Sequence, residues 1–326
     1  MACYDRRFGR ATGPVPETPV PGSPDAQAEG ARTVASPAAA PAASAADAGS
    51  LRTPSALSQF WELEKPDKRG TFRVLTYRPN FLLPFIVSDR VNREPATPTH
   101  AADDTLPAYR HLEAMVQVSL RVKLAQEVLL PGADLWFGYT HRAQWQVWTG
   151  QASRPFRNTD YEPQLMYVVP VSESLRALPL GWRWRMVSLG VAHQSNGQTD
   201  PLSRSWNRFE FGVGLEKDNF TLEAQVFRRM RERYRDDNPD LTQYIGRGEV
   251  RASWLPGRAI TTLTWRTNLR DADRGSWQVD WSYPVAADQP QGLRWYVRGF
   301  QGYGESLLDY NFRKVSLGAG VMLINF

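Results

Sequence analysis

The stretches VSLGVAHQS (187–195) and NRFEFGVGLE (207–216) decide the fold. In the first, Val187, Leu189, Val191, His193 and Ser195 hold alternate positions, with Ser188, Gly190, Ala192 and Gln194 between them. In the second, Asn207 shares parity with Phe209, Phe211, Val213 and Leu215, opposed by Arg208, Glu210, Gly212, Gly214 and Glu216. Period-two alternation marks a strand with two unlike faces. His193, Ser195 and Asn207 therefore stand where two apolar faces end, which is where a membrane surface would be. A soluble protein would bury that face in its core. A hydrolase working on lipids from inside a bilayer would turn it toward its substrate.

The same alternation recurs outward from this pair. Val116, Val118, Leu120, Val122 and Leu124 oppose Gln117, Ser119, Arg121 and Lys123. Leu135, Phe137, Tyr139 and His141 form one face of the next segment. Leu222 to Val226, Val250 to Trp254, Trp277 to Tyr283 and Val315 to Leu323 repeat the pattern, and Asn80 to Phe85 reads as a first strand. No apolar run approaches the ~18–20 residues that a transmembrane helix needs, which excludes helical spans but not a barrel of short alternating strands. The 12 Trp and 12 Tyr suit the aromatic girdles of such a barrel. A soluble sandwich or lipocalin-like barrel also has one apolar and one polar face. Two features favour the membrane barrel: Arg and Glu recur on the polar faces, and Trp and Tyr edge the apolar ones.

Composition bounds the rest. Residues from about Ala11 to Ser55 are dominated by Ala, Pro, Gly and Ser and cannot bury enough surface to offset ordering entropy. The expected division is a disordered tail over 1–58 and a barrel over 59–326. The single cysteine, Cys3, excludes a disulfide framework. A net charge of +5 without a block of Lys/Arg among aromatics gives no reason to expect nucleic acid. Met1 to Arg10 lacks the apolar core and small-residue cleavage site of an export signal, and no apolar stretch precedes Cys3 to form a lipobox. On the export reading, that points to a misassigned or truncated start.

Serine is a poor nucleophile until a base takes its proton, and the base needs a third group to fix its tautomer. His193 and Ser195, two apart, share a face, and Asn207 lies beside them if the next strand returns through a hairpin. An amide there avoids the desolvation cost of a carboxylate facing lipid. The geometry alone is equally that of a polar strand end facing water. No G-x-S-x-G elbow is present, and His100, His111, His141 and His193 are too scattered to suggest a zinc site.

The run HQSNGQTDPLSRSWNR (193–208) resembles the active-site segment of the outer-membrane phospholipase A family. Further matches are Ser153 with Pro155-Phe156-Arg157 and Tyr161-Glu162-Pro163-Gln164, Asp236 to Asp240, and Gly302 to Ser306 continuing through Asp309 to Phe312. The resemblance covers roughly residues 60 to 326. It implies an all-β, twelve-stranded antiparallel transmembrane barrel in the outer membrane, active as a calcium-bound homodimer on membrane phospholipids with A1, A2 and lysophospholipase activity. By motif position, Ser195 is the nucleophile, His193 the general base and Asn207 the orienting residue. The oxyanion is then held by the Gly197 amide and a calcium-polarised water. The implied calcium ligands are the Gln198 carbonyl, the Ser203 hydroxyl and the Ser153 carbonyl of the partner subunit, giving about one ion per active site shared across the dimer. Asp200 and Asp237 match a second calcium site. The chain departs from the pattern where Gln198 replaces an Arg, where His141 replaces an interface Gln and so would make dimerisation pH-dependent, and in its Ala/Pro-rich tail. The competing expectation is a non-catalytic barrel, such as a porin or adhesin.

Overall fold

The computed structural model describes residues 55–324, except 103–105, 151–155, 233–235, 272 and 290–291. The expected N-terminal tail up to residue 54 and Ser153 with Pro155 lie outside the described residues. The chain forms an antiparallel sheet in which each strand from β2 onward pairs with its neighbours in sequence: β1 (Val74–Thr76), β2 (Asn80–Ser88), β3 (Leu112–Ala125), β4 (Asp134–Trp145), β5 (Asn158–Pro170), β6 (Arg183–Ser195), β7 (Ser205–Lys217), β8 (Phe220–Arg229), β9 (Gly248–Trp254), β10 (Ile260–Thr267), β11 (Ser276–Pro284), β12 (Gly292–Gly302) and β13 (Lys314–Ile324). Pairing of β13 with β2 closes the sheet. The short β1 pairs with Leu120 to Val122 of β3, just beyond the stretch of β3 that pairs with β2. β1 and β2 thus fill one position around the barrel, and the closed barrel has twelve. The expected first strand at Asn80 is longer than the sequence suggested and is preceded by this extra segment.

Closure follows from the solvent. A backbone crossing hydrocarbon must satisfy every N–H and C=O within the protein, and an open sheet leaves an edge unpaired. The outward positions carry apolar side chains, among them Leu82, Leu189, Phe209, Phe211 and Leu317, with exposed Trp254, Trp265, Trp277, Trp281 and Trp295. The inward positions carry the charges. Arg78 pairs with Glu162 at 2.9 Å, Arg208 with Glu162 at 2.5 Å and Glu210 at 2.7 Å, and Arg266 with Glu249 at 2.7 Å. Such buried pairs are costly to break one partner at a time, since a lone charge is left without solvent.

Both barrel ends are closed by the chain itself. At the end opposite His193, α1 (Ala56–Trp61) inserts Leu57 and Trp61 against Trp136, Met166, Val168 and Met186. Ser55 caps this helix by accepting from the Ser58 amide at 3.0 Å, so the barrel's packed structure begins before the expected residue 59. Lys123 bonds Glu62 at 2.6 Å and Asp134 at 2.7 Å beneath it. At the His193 end, the segment after β12 folds back into the barrel mouth. Leu307 and Tyr310 pack with Trp206, Leu241 and Ile245. Gly302 to Ser306 reads from sequence as a tight strand-end turn. Position 302 does require glycine, because its φ is +128° and a Cβ would meet the Gly275 carbonyl at 2.3 Å. The chain beyond it is a long inward loop, held because Glu305 and Asp309 find buried cations.

Arg157 joins Glu113 at 2.5 Å and Asp309 at 3.0 Å, and Lys314 joins Glu305 at 2.8 Å and Asp309 at 3.2 Å. Burial pushes the Asp309 carboxyl up, but Arg157 and Lys314 outweigh it and hold the group well below the usual carboxylate range. A depressed folded value means that these ion pairs contribute their full stability above the unfolded value of about 4, and that the contribution shrinks as pH falls from there toward the folded value. Asp309→Asn leaves Arg157 and Lys314 undercompensated and should cost about 3 kcal/mol. The expected readouts are a lower denaturant midpoint for the refolded barrel at neutral pH and faster proteolysis of the 303–313 loop, with the difference from the parent protein shrinking below about pH 4.

Candidate active site

β6 and β7 run antiparallel in a register that places His193 opposite Asn207 and Ser195 opposite Ser205, while Tyr161 of β5 lies opposite Ser195. The hairpin return that the sequence required is therefore present. His193 Nδ1 lies 2.9 Å from Asn207 Oδ1. An amide oxygen only accepts, so this contact assigns the proton to Nδ1 and leaves Nε2 with a free lone pair. Ser195, two residues on, shares the face, and its Oγ accepts from the Gly197 amide at 3.1 Å. Directly below, on the same outward face, lie the exposed Leu189, Val191, Phe209 and Phe211.

The loop between the two strands is shaped by Asn196, which is buried. Its Oδ1 accepts from the amides of Arg204 at 2.9 Å and Gln198 at 3.3 Å, and its Nδ2 donates to the Leu202 carbonyl at 2.8 Å. Arg204, fully buried, donates to the carbonyls of Pro201 and Ser203 at 2.8 and 2.7 Å. Gly197 sits at a φ of +65°, where a Cβ would come within 3.0 Å of the Tyr161 ring. Glycine thereby lets the amide approach Ser195 Oγ with no side chain over it. Asn196 and Arg204 carry no spacing signal for a structural role, and sequence reasoning gave them none.

The loop also gathers oxygen donors. The Gln198 carbonyl and Ser203 hydroxyl belong to one short closed segment, and Gln198 Oε1 is buried without a hydrogen-bond partner among the described residues. An orphaned amide oxygen on the same loop as that carbonyl and hydroxyl is the kind of donor a hard cation takes. Asp200 and Asp237 also come together, and His100 comes with them. Its Nε2 lies 3.4 Å from Asp200 Oδ1 and 3.9 Å from Asp237 Oδ1, and Asp237 Oδ2 accepts from Ser203 Oγ at 2.6 Å. Nitrogen is foreign to a calcium set, so this group suits calcium less well than the Gln198–Ser203 loop. His100 was passed over in the sequence because its partners lie on segments far from it along the chain. Thr99 places it, bonding both the His100 ring and the 236–237 carbonyls.

One further expectation changes. Arg229 to Arg233 reads as a solvated strand end or a headgroup contact; Arg233 lies outside the described residues, and Arg229 donates to the Asn238 carbonyl and to Asp236 Oδ1, both at 2.7 Å, and so anchors the acidic loop. His141 faces outward as its parity requires and stacks on Tyr161 at 4.9 Å, with Nε2 covered and without a hydrogen-bond partner among the described residues.

Residues 57–323 match the family model described as phospholipase A1. A protein of Neisseria meningitidis serogroup B is 37% identical over 290 residues, 87% of this chain and 73% of that one. Phospholipase A1 of Escherichia coli K12 is 34% identical over 256 residues, 77% of this chain and 82% of that one. Among solved structures, outer membrane phospholipase A from Escherichia coli aligns with a TM-score of 0.69 at 31% identity, over 78% of this chain and all of that one. The Salmonella typhi outer membrane phospholipase dimer with bound calcium aligns with a TM-score of 0.69 at 32% identity, over 79% of this chain and 95% of that one.

A long-chain sulfonyl fluoride tests whether these side chains form one reactive unit. Refolded protein should be labelled at Ser195, and Ser195→Ala should abolish labelling. His193→Ala should slow it roughly 100-fold or more, as loss of a general base does. Asn207→Ala should slow it by up to about 100-fold through misplacement of the imidazole.

Proposed function

The chain belongs to the phospholipase A1 family, and from that premise we propose that Ser195, His193 and Asn207 hydrolyse phospholipid acyl esters at the rim of the barrel, with calcium and dimerisation completing the site. Membership makes the protein an outer-membrane β-barrel phospholipase. The observation that carries the triad assignment is the 2.9 Å contact of His193 Nδ1 with Asn207 Oδ1 on an outward row that continues into exposed Val191 and Phe209. A porin would gain nothing from an oriented imidazole there.

In the proposed reaction, Ser195 Oγ attacks the ester carbonyl as its proton passes to His193 Nε2. Asn207 Oδ1 holds the Nδ1–H, so the ring receives the proton in one orientation. The Gly197 amide, already 3.1 Å from Oγ, donates to the developing oxyanion. His193 then gives the proton to the departing glycerol or lysophospholipid oxygen, and the acyl group remains on Ser195. Water hydrolyses this acyl-serine with His193 again taking and returning a proton. The Gln198 carbonyl, the Ser203 hydroxyl and the Ser153 carbonyl of the partner subunit are the proposed calcium ligands, and the ion when bound supplies further polarisation at the oxyanion. Asp200 and Asp237 remain the candidates for a second ion, with His100 beside them. Because the first ligand set spans two subunits, dimerisation would switch activity on. His141, stacked on Tyr161 with Nε2 covered, would have to offer Nδ1 across that interface, or turn.

Detergent-refolded protein should release fatty acid from a long-chain phospholipid in calcium, lose that activity in EDTA, and lose it in Ser195→Ala. A folded, calcium-loaded, cross-linked dimer that hydrolyses nothing would leave a non-catalytic barrel. Cross-linking yield measured against pH should flatten in His141→Gln, whose amide does not titrate; an unchanged profile would remove His141 from the interface.

A further inference from the structure

β8 carries Leu222, Ala224 and Val226 on its outward face, and Arg228 continues that parity at the site end. Arg228 lies opposite Phe209 in the β7 register and is exposed. Phe209 is two residues from Asn207, and the Met230 amide donates to the Asn207 carbonyl at 2.8 Å. Arg228 is thus on the lipid-facing row, two strands from His193 and one row below it.

A groove runs down the outer wall from this point. Leu165, Leu189, Val191, Phe209, Phe211 and Val226 line it, and Arg228 is the only basic side chain on it. Its upper end meets the triad, since Val191 precedes His193 and Phe209 follows Asn207 on the same face. The other charged group on the groove, Glu210, belongs to the inner face and is held there by Arg208 and Gln164. Arg228 makes no ion pair among the described residues. A guanidinium on a row that faces hydrocarbon is costly unless its stem rises to the interface and its head finds an anion. The anion that a membrane presents at that level is phosphate, which matches the bidentate geometry of arginine.

We propose that Arg228 binds the phosphodiester of the phospholipid under attack while an acyl chain occupies the groove, which makes Arg228 a specificity-determining residue. The proposal rests on the phospholipase reading. A lipid laid in the groove brings its ester to the row of His193 and Ser195 and its phosphate within side-chain reach of β8. The bond is made equally before and during reaction, so its loss falls on KM rather than kcat.

The test compares a phosphatidylcholine with a p-nitrophenyl ester of the same chain length, both in neutral-detergent micelles. The quantity read is the ratio of their kcat/KM values. Arg228→Gln should lower this ratio about tenfold, mainly through the phospholipid KM, as expected for one lost charge-assisted contact. Arg228→Lys should restore part of it. Arg183→Gln, which removes an exposed cation at the opposite end of β6, should leave the ratio as in the parent protein. An unchanged ratio in Arg228→Gln overturns the proposal, as does an equal fall on both substrates, which marks a general membrane anchor. A parent protein that cleaves the p-nitrophenyl ester but not the phospholipid, or neither, overturns the phospholipase reading itself.

Discussion

A backbone in hydrocarbon must make all its own hydrogen bonds, and the rest of this structure depends on that requirement. It forces the sheet to close through β13 and β2. Closure then divides every strand into a row facing lipid and a row facing the lumen, with no third option. Apolar side chains take the first row. The second holds arginines and glutamates that satisfy one another, as Arg208 does with Glu162 and Glu210. Polar chemistry on the outer row is tolerable only where it meets the interface, and that is where His193, Ser195 and Asn207 stand.

The position selects the chemistry of the orienting group. A carboxylate beside His193 would face lipid with little solvent to support it. Asn207 supplies the same acceptor without charge, and the strand register delivers it, since His193 and Asn207 are directly opposed. Two regular strands therefore build the His–Asn pair, while the loop between them carries the Gly197 amide and the oxygen donors. Asn196 and Arg204 hold that loop by satisfying its backbone from within, which explains two buried polar groups that never touch the reacting atoms.

The lumen and the site are connected through the same loops. Arg157 ties Glu113 and Asp309 together, and its carbonyl accepts from Gln198 Nε2 at 3.3 Å. Ser203 is tied to Asp237, and Asp237 to the segment carrying His100 and Thr99. The strand walls are rigid by pairing, whereas the loop donors depend on a chain of polar contacts from several distant segments.

The sequence by itself determined the alternation, hence the outward parity of His193, Ser195, Asn207 and His141, because side-chain direction in a strand is set by position modulo two. It also carried the family likeness in the run from His193 to Arg208. It did not reveal that α1 belongs inside the barrel, that Gly302 to Ser306 opens an inward loop, or that Arg229 anchors the acidic loop. The first two depend on finding a buried partner far along the chain, as Lys123 finds Glu62 and Asp309 finds Arg157, and the third on how the loop after β8 turns back on Arg229. His100 is the clearest case. Nothing in its spacing relates it to Asp200 or Asp237, and only the folding of three loops over one barrel mouth brings them together. Local periodicity is written in the chain, but convergence of loops is decided by which buried charges can be paired, and that is a property of the closed barrel alone.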